Sequence, residues 1–192
     1  MSTTNSTPSL GLTVQSLADG TSIIQRSLPT EFFLAIKENV ANPHEESTTP
    51  PIEFYSRTPD GRKRLGVPLS LCENGVGVED GERMVSLLPY GFDTAPSGMI
   101  QILVTWPGYW NDAMTFSIGP DNEVTLQQLA TFAARKFRVF YEKASDAFLP
   151  GTHDANGVYT LGPNCVANYD NITLRRVWYG LTVWVLELSF TP

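Results

Sequence analysis

Nucleophilic catalysis needs a hydroxyl or thiol held against a base, and the chain has few bases: its two histidines are His44 and His153. His44 stands in the proline-rich, acidic run 42–51 (NPHEESTTPP), and His153 in the loop Gly151-Thr152-His153-Asp154. The two cysteines, Cys72 and Cys165, lie 93 positions apart and cannot form a CxxC redox or metal pair. Both read as reduced thiols, because free cysteine packs as a small hydrophobe. Cys165 and His153, oriented by Asp154 or Asp170, are the one nucleophile-and-base set the late loop could assemble. A packed thiol and a solvated histidine are the plainer reading. No Gly-x-Ser-x-Gly elbow occurs.

Metal and phosphate chemistry find no support in the spacing. The histidines and thiols are not at ligand intervals, and the acids Glu79, Asp80 and Glu82 lack the EF-hand pattern. Gly75-Val76-Gly77 runs into Val78-Glu79-Asp80-Gly81, whose charges oppose a phosphate and which opens no helix. No pair of carboxylates stands out for glycoside chemistry, where separation in space decides. The sequence therefore points to no catalytic residue, no metal and no cofactor.

Binding chemistry is better represented. Trp106-Pro107-Gly108-Tyr109-Trp110 puts three large aromatics around a turn at the end of a strand, where exposed rings would take a protein partner, a sugar or a planar group. The alternative is that Trp106 and Trp110 fold back to cap the core. Arg175 and Arg176, beside Trp178 and Tyr179, could stack or pair with carboxylates, and sheet-edge salt bridges explain them equally. The binding candidates are thus Trp106, Pro107, Tyr109, Trp110, Arg175 and Arg176.

Thirteen basic and twenty acidic residues give a net charge of −7, which repels a polyanion and argues against nucleic acid as partner. The imbalance is local: eight acids between residues 73 and 123 face Arg83 alone. With 42% hydrophobic and 17% charged residues in 192, the chain is expected to fold around one core. The polar start lacks a secretory pattern and no apolar run reaches membrane-spanning length, so a cytoplasmic protein without membrane association is expected, the nucleus remaining open. The sequons at Asn5 and Asn171 are then accidental.

The elements that must position these groups form three stretches: a flexible tail 1–9, an arm 10–51 with a short helix and a proline-rich linker, and a single α+β domain 52–192. In the arm, residues 21–25 suit a strand, and residues 31–39 after Thr30 suit one or two helical turns. Short strands with turns at Pro59-Asp60-Gly61 and Asn74-Gly75 are expected over 52–56 and 67–72, followed by strands over 83–88, 98–106 and 114–118. Thr125 and Gln128 make a capping box for a long helix. Leu126, Leu129, Ala130, Ala133, Phe137, Phe140, Tyr141 and Ala144 form its buried face, and Arg135, Lys136, Arg138 and Lys143 a solvated one. Strands over 173–178 and 181–190 close the chain around a turn at Tyr179-Gly180, the last strand buried on both sides. The expected fold is an antiparallel or mixed sheet packed against one long helix, with a short N-terminal arm.

The C-terminal half, roughly residues 99 to 190, contains Ile102 to Pro107, the helix start Val124 to Leu129, and Leu174 to Val177, Gly180-Leu181 and Trp184 to Ser189. In these segments it resembles a domain of unknown function expanded in mushroom-forming fungi. The resemblance implies fold and not chemistry. The expected function is a non-catalytic protein-interaction or ligand-binding module, with a protein partner or self-association. The alternatives are an enzyme whose site is assembled around His153 and a self-associating structural subunit.

Overall fold

Alternation of side chains along the C-terminal strand builds the centre of the molecule. Trp184, Leu186, Leu188 and Phe190 face the core, while Val185, Glu187 and Ser189 point the other way, and all seven are buried. The expectation of a strand buried on both sides holds here. The computed structural model describes residues 12–16, 22–26, 49–88, 99–104, 106, 109, 112–117, 123–146, 160–180 and 183–190. The tail, the short helix over 31–39 and most of the linker lie outside the described residues.

From the N-terminus, β1 (Leu12–Ser16) and β2 (Ser22–Arg26) precede the short strands β3 (Ile52–Glu53), β4 (Tyr55–Arg57), β5 (Lys63–Leu65) and β6 (Val67–Pro68). The short helix α1 (Leu69–Glu73) follows, then β7 (Met84–Ser86), β8 (Met99–Val104), β9 (Asp112–Ser117) and β10 (Glu123–Thr125). The long helix α2 (Leu126–Asp146), a 3-10 turn (Tyr169–Asn171), and strands β11 (Ile172–Gly180) and β12 (Val183–Phe190) complete the order.

Among the described residues the main sheet has eight strands and is mixed. Antiparallel β11 and β12 form its centre, and the edge of β12 is shared. β2 pairs antiparallel along Leu188 to Phe190, whereas β8 pairs parallel at Trp184 and Val185. β1 continues the sheet beyond β2, and β9 continues it beyond β8. The free side of β11 is divided likewise, β6 pairing at Thr173 and Leu174 and β3 at Arg176 and Val177. The fold is α+β.

Helix α2 covers one face. Its eight expected core residues are all buried, joined by Ala134, and the capping box forms reciprocally: Thr125 N–H donates to Gln128 Oε1 at 3.0 Å, and Gln128 N–H to Thr125 Oγ1 at 3.1 Å. The expected strand over 67–72 is corrected: it stops at Pro68 and becomes α1, because Leu69 and Cys72, three positions apart, are the buried pair and Leu71 faces out. The turn expected at Tyr179-Gly180 also shifts. Tyr179 pairs with Trp184, their rings edge to face at 5.5 Å, and Gly180 pairs with Val183, so both belong to the ladder. No helix among the described residues is long and apolar enough to cross a membrane.

Replacing Thr125 by Ala removes one half of the capping box and should cost about 1 kcal/mol in chemical denaturation. Adding Gln128→Ala should cost less than the sum of the two single changes, since both act on one motif.

Candidate functional site

Ile102, Val104 and Trp106 continue one period-two face into the core, which sets the place of the first aromatic. Trp106 is 2% exposed, with its ring 5.7 Å from Phe137 and 5.7 Å from Phe190. Tyr109 is half-buried, edge-on to Phe140 at 6.4 Å, and its hydroxyl accepts the Leu161 N–H at 3.1 Å. Both tie the end of β8 to α2 and the loop behind it, so Trp106 has no surface for a partner. Pro107 and Trp110 lie outside the described residues.

Arg175 and Arg176 converge because of an irregularity in the sheet. Leu174 pairs with Leu188 but Arg176 with Glu187, so β11 advances two residues while β12 advances one. Such a bulge sends two neighbouring side chains toward one opposing residue. Arg175 Nε lies 3.5 Å from Glu187 Oε1 and Arg176 Nε 3.3 Å from Oε2, while an Arg176 terminal nitrogen stands 3.6 Å from Glu53 Oε1. These are ionic contacts rather than short hydrogen bonds. Tyr55 extends the cluster by donating to Glu53 Oε2 at 2.6 Å, and this bond raises its phenol above the usual range. The cluster crosses from the sheet centre to β4, and its cations already face carboxylates.

Cys165 is half-buried in a tight loop, where a Cβ on Gly162 would stand 3.0 Å from its sulfur. Its suggested partners His153 and Asp154 lie outside the described residues, as does His44. Cys72 is buried, and burial pushes its thiol up from an ordinary 9.0 to about 12. Among the described residues no group of three or more His, Cys, Asp or Glu could hold a metal ion. On α2, Arg138 is not part of a freely solvated face. It pairs with Glu73 of α1 at 2.9 Å and lies 3.3 Å over the Tyr169 ring, whose hydroxyl donates to the Ala134 carbonyl at 3.0 Å.

A concave site opens where sequence reasoning placed none. Strands β4 and β5 form a hairpin around Pro59-Asp60-Gly61, with Gly61 at φ 81°, the three-residue loop in which only glycine sits without strain. At the hairpin's root the Gly66 N–H donates to the Phe54 carbonyl at 2.8 Å with φ 109°. A Cβ there would stand 2.6 Å from Thr173 Cγ2, so glycine lets the hairpin lie against β11. Between them runs an open groove of about 400 Å³. Ser56, Arg57, Thr58, Pro59 and Arg64 form one wall, Pro68 and Leu71 the floor, and Asp170, Asn171 and Thr173 the other wall.

Most hairpin charges are engaged. Arg57 grips Glu79 through Nε at 2.6 Å, which lowers the Glu79 carboxyl below its ordinary range. Arg62 pairs with Asp60 at 3.0 Å, and Lys63 with Asp80 at 3.7 Å while lying 4.4 Å over the Tyr55 ring. Arg64 and Asp170 make no ion pair with any described residue. The Pro-Asp-Gly turn was legible, but the four cations around it were not read as a site. The opposite wall comes from more than 100 residues away in sequence.

No family model matches the chain, and no curated protein and no solved structure does so either.

Glu187→Ala leaves two largely buried guanidinium groups facing an empty position and should cost about 3 kcal/mol. Replacing all three charges together (Arg175→Met, Arg176→Met, Glu187→Leu) should restore much of that loss in urea melts. Stability should also fall in alkali. The folded chain keeps the Cys72 proton after the unfolded chain has released its own, so this stabilisation is complete below about pH 9 and lost as pH rises toward about 12. Burial raises Tyr169 in the same direction. Urea midpoints measured across that window should decline, with a shallower slope in Cys72→Ala.

Proposed function

We propose that this chain is a non-catalytic interaction module that binds a partner's peptide segment in the groove between the β4–β5 hairpin and the start of β11. The observation that carries this reading is the groove itself: an open concavity of about 400 Å³, of the size ligand sites have, with an apolar floor and polar walls. Leu71 is 42% exposed on that floor, and Val76, whose N–H donates to the Leu71 carbonyl at 3.1 Å, is 52% exposed beside it. Exposed apolar side chains in a recess rimmed by polar groups favour docking of an apolar anchor.

The same walls favour holding over reacting. Ser56 Oγ donates to the Gly66 carbonyl at 2.7 Å, and Thr58 Oγ1 donates to Asp60 while accepting the Arg62 N–H at 3.1 Å. Both hydroxyls thus serve the hairpin's own geometry, whereas an activated nucleophile needs a base at that position. In this reading the groove takes the place of Trp106, which belongs to the core, as the surface through which a partner is met.

Peptide display against the whole chain tests this. Selected peptides should lose at least tenfold in affinity on Leu71→Trp, which fills the groove from an exposed position, and should be unaffected by Arg135→Ala on the exposed side of α2. Peptides that bind Leu71→Trp as well as the parent would place the interaction elsewhere.

A further inference from the structure

We infer that the occupant of this groove is a dipolar peptide segment, carrying a carboxylate that meets Arg64 and a cation that meets Asp170 on either side of an apolar anchor over Leu71. The inference rests on the module reading above and specifies its ligand.

Its basis is a difference among neighbouring charges. Every other cation of the hairpin has a carboxylate of its own: Arg57 has Glu79, Arg62 has Asp60 and Lys63 has Asp80. Arg64 has none among the described residues, although it stands in the same stretch, residues 57–64, and pairs across the hairpin with Ser56, another groove residue. Asp170 on the facing wall is in the same condition. It is the middle residue of the 3-10 turn, whose cap is made by Asn168 and not by its own carboxylate, since Asn168 Oδ1 accepts the Asn171 N–H at 3.1 Å. The two opposite charges line one cavity without reaching ion-pair distance of each other. A ligand of one sign would gain at one wall and be repelled at the other; a ligand with both signs gains at both.

Charge complementarity also separates this occupant from a polyanion. A nucleic acid or polyphosphate laid along the groove would bring its charges near Asp170, Asp60 and Glu79 and would find a single uncommitted cation, Arg64. A peptide places one carboxylate at Arg64 and need place no other negative charge nearby. Leu71 and Pro68 line the same cavity and would accept an apolar side chain.

The experiment uses the full chain and labelled peptides in fluorescence anisotropy. Four peptides share a central Leu and carry Glu and Lys on opposite sides, Glu only, Lys only, or neither; an oligonucleotide serves as a polyanion probe. The mixed peptide should bind tightest, with affinity falling as salt rises. Arg64→Glu should remove the preference for the Glu-bearing side, and Asp170→Lys that for the Lys-bearing side, each by roughly fivefold. Both positions are exposed, so circular dichroism should show both variants folded. Equal binding of all four peptides, still blocked by Leu71→Trp, overturns the dipolar ligand and leaves the module reading standing. Binding of none, or binding indifferent to Leu71→Trp, overturns both. Preference for the oligonucleotide, reversed by Arg64→Glu, overturns the peptide in favour of a polyanion.

Discussion

A carboxylate in the middle of a strand buried on both faces has to be compensated by charge, and Glu187 is that carboxylate, with its side chain 3% exposed. Arg176, directly opposite, meets Glu187 through Nε and divides its charge with Glu53 on β3. The bulge at Arg175 adds a second cation by directing two consecutive arginines toward β12. The displaced backbone is used as well: the Arg175 carbonyl accepts the Phe54 N–H at 2.9 Å, and the Phe54 carbonyl accepts the Gly66 N–H at 2.8 Å. The root of the β4–β5 hairpin thus hangs on the backbone of the bulge. The hairpin that bounds the groove is thereby tied to the same stretch of β11 that meets the buried charge.

The second wall depends on a different set of contacts that converges on the same place. Tyr169 is held between α2 and α1, its hydroxyl on the Ala134 carbonyl, its face under Arg138, and its edge near Tyr141 at 5.5 Å. Since Asp170 and Asn171 follow directly, the long helix positions one wall of the groove and the bulged strand positions the other. Few parts of the lining are set by local sequence alone. The arrangement suits a preorganised binding site, where ordering costs are met by the fold rather than by the ligand.

Much of the fold was legible because its signals are local. The capping box at Thr125 and Gln128 needs four consecutive residues, and the buried face of α2 follows from spacing alone. Alternation likewise gave the two-sided burial of β12. Signals failed where geometry departs from a regular period. Val67, Leu69 and Leu71 read as one face of a strand, yet the strand ends at Pro68, the helix begins at Leu69, and Leu69 with Cys72 is the buried pair. Arg175 and Arg176 alternate in a regular strand, and only the bulge brings both to Glu187. The groove was illegible for a further reason: its walls meet through the close approach of Gly66 to Thr173, a contact between residues 107 positions apart.

The acidic stretch from Glu73 to Glu123 shows how a correct count can hide its physical meaning. As a net charge it describes a negative field that repels polyanions at long range. In the structure, Glu79 and Asp80 leave that field to neutralise Arg57 and Lys63, and Glu73 neutralises Arg138. The basic hairpin is therefore balanced locally by part of the acidic stretch, while the chain keeps its net charge of −7 and the long-range field that goes with it. Selectivity then falls to charges that the balance leaves over. In the groove these are Arg64 and Asp170, whose influence is felt only by a ligand close enough to touch both walls. On the reading proposed above, such a groove discriminates by the pattern of charge at contact.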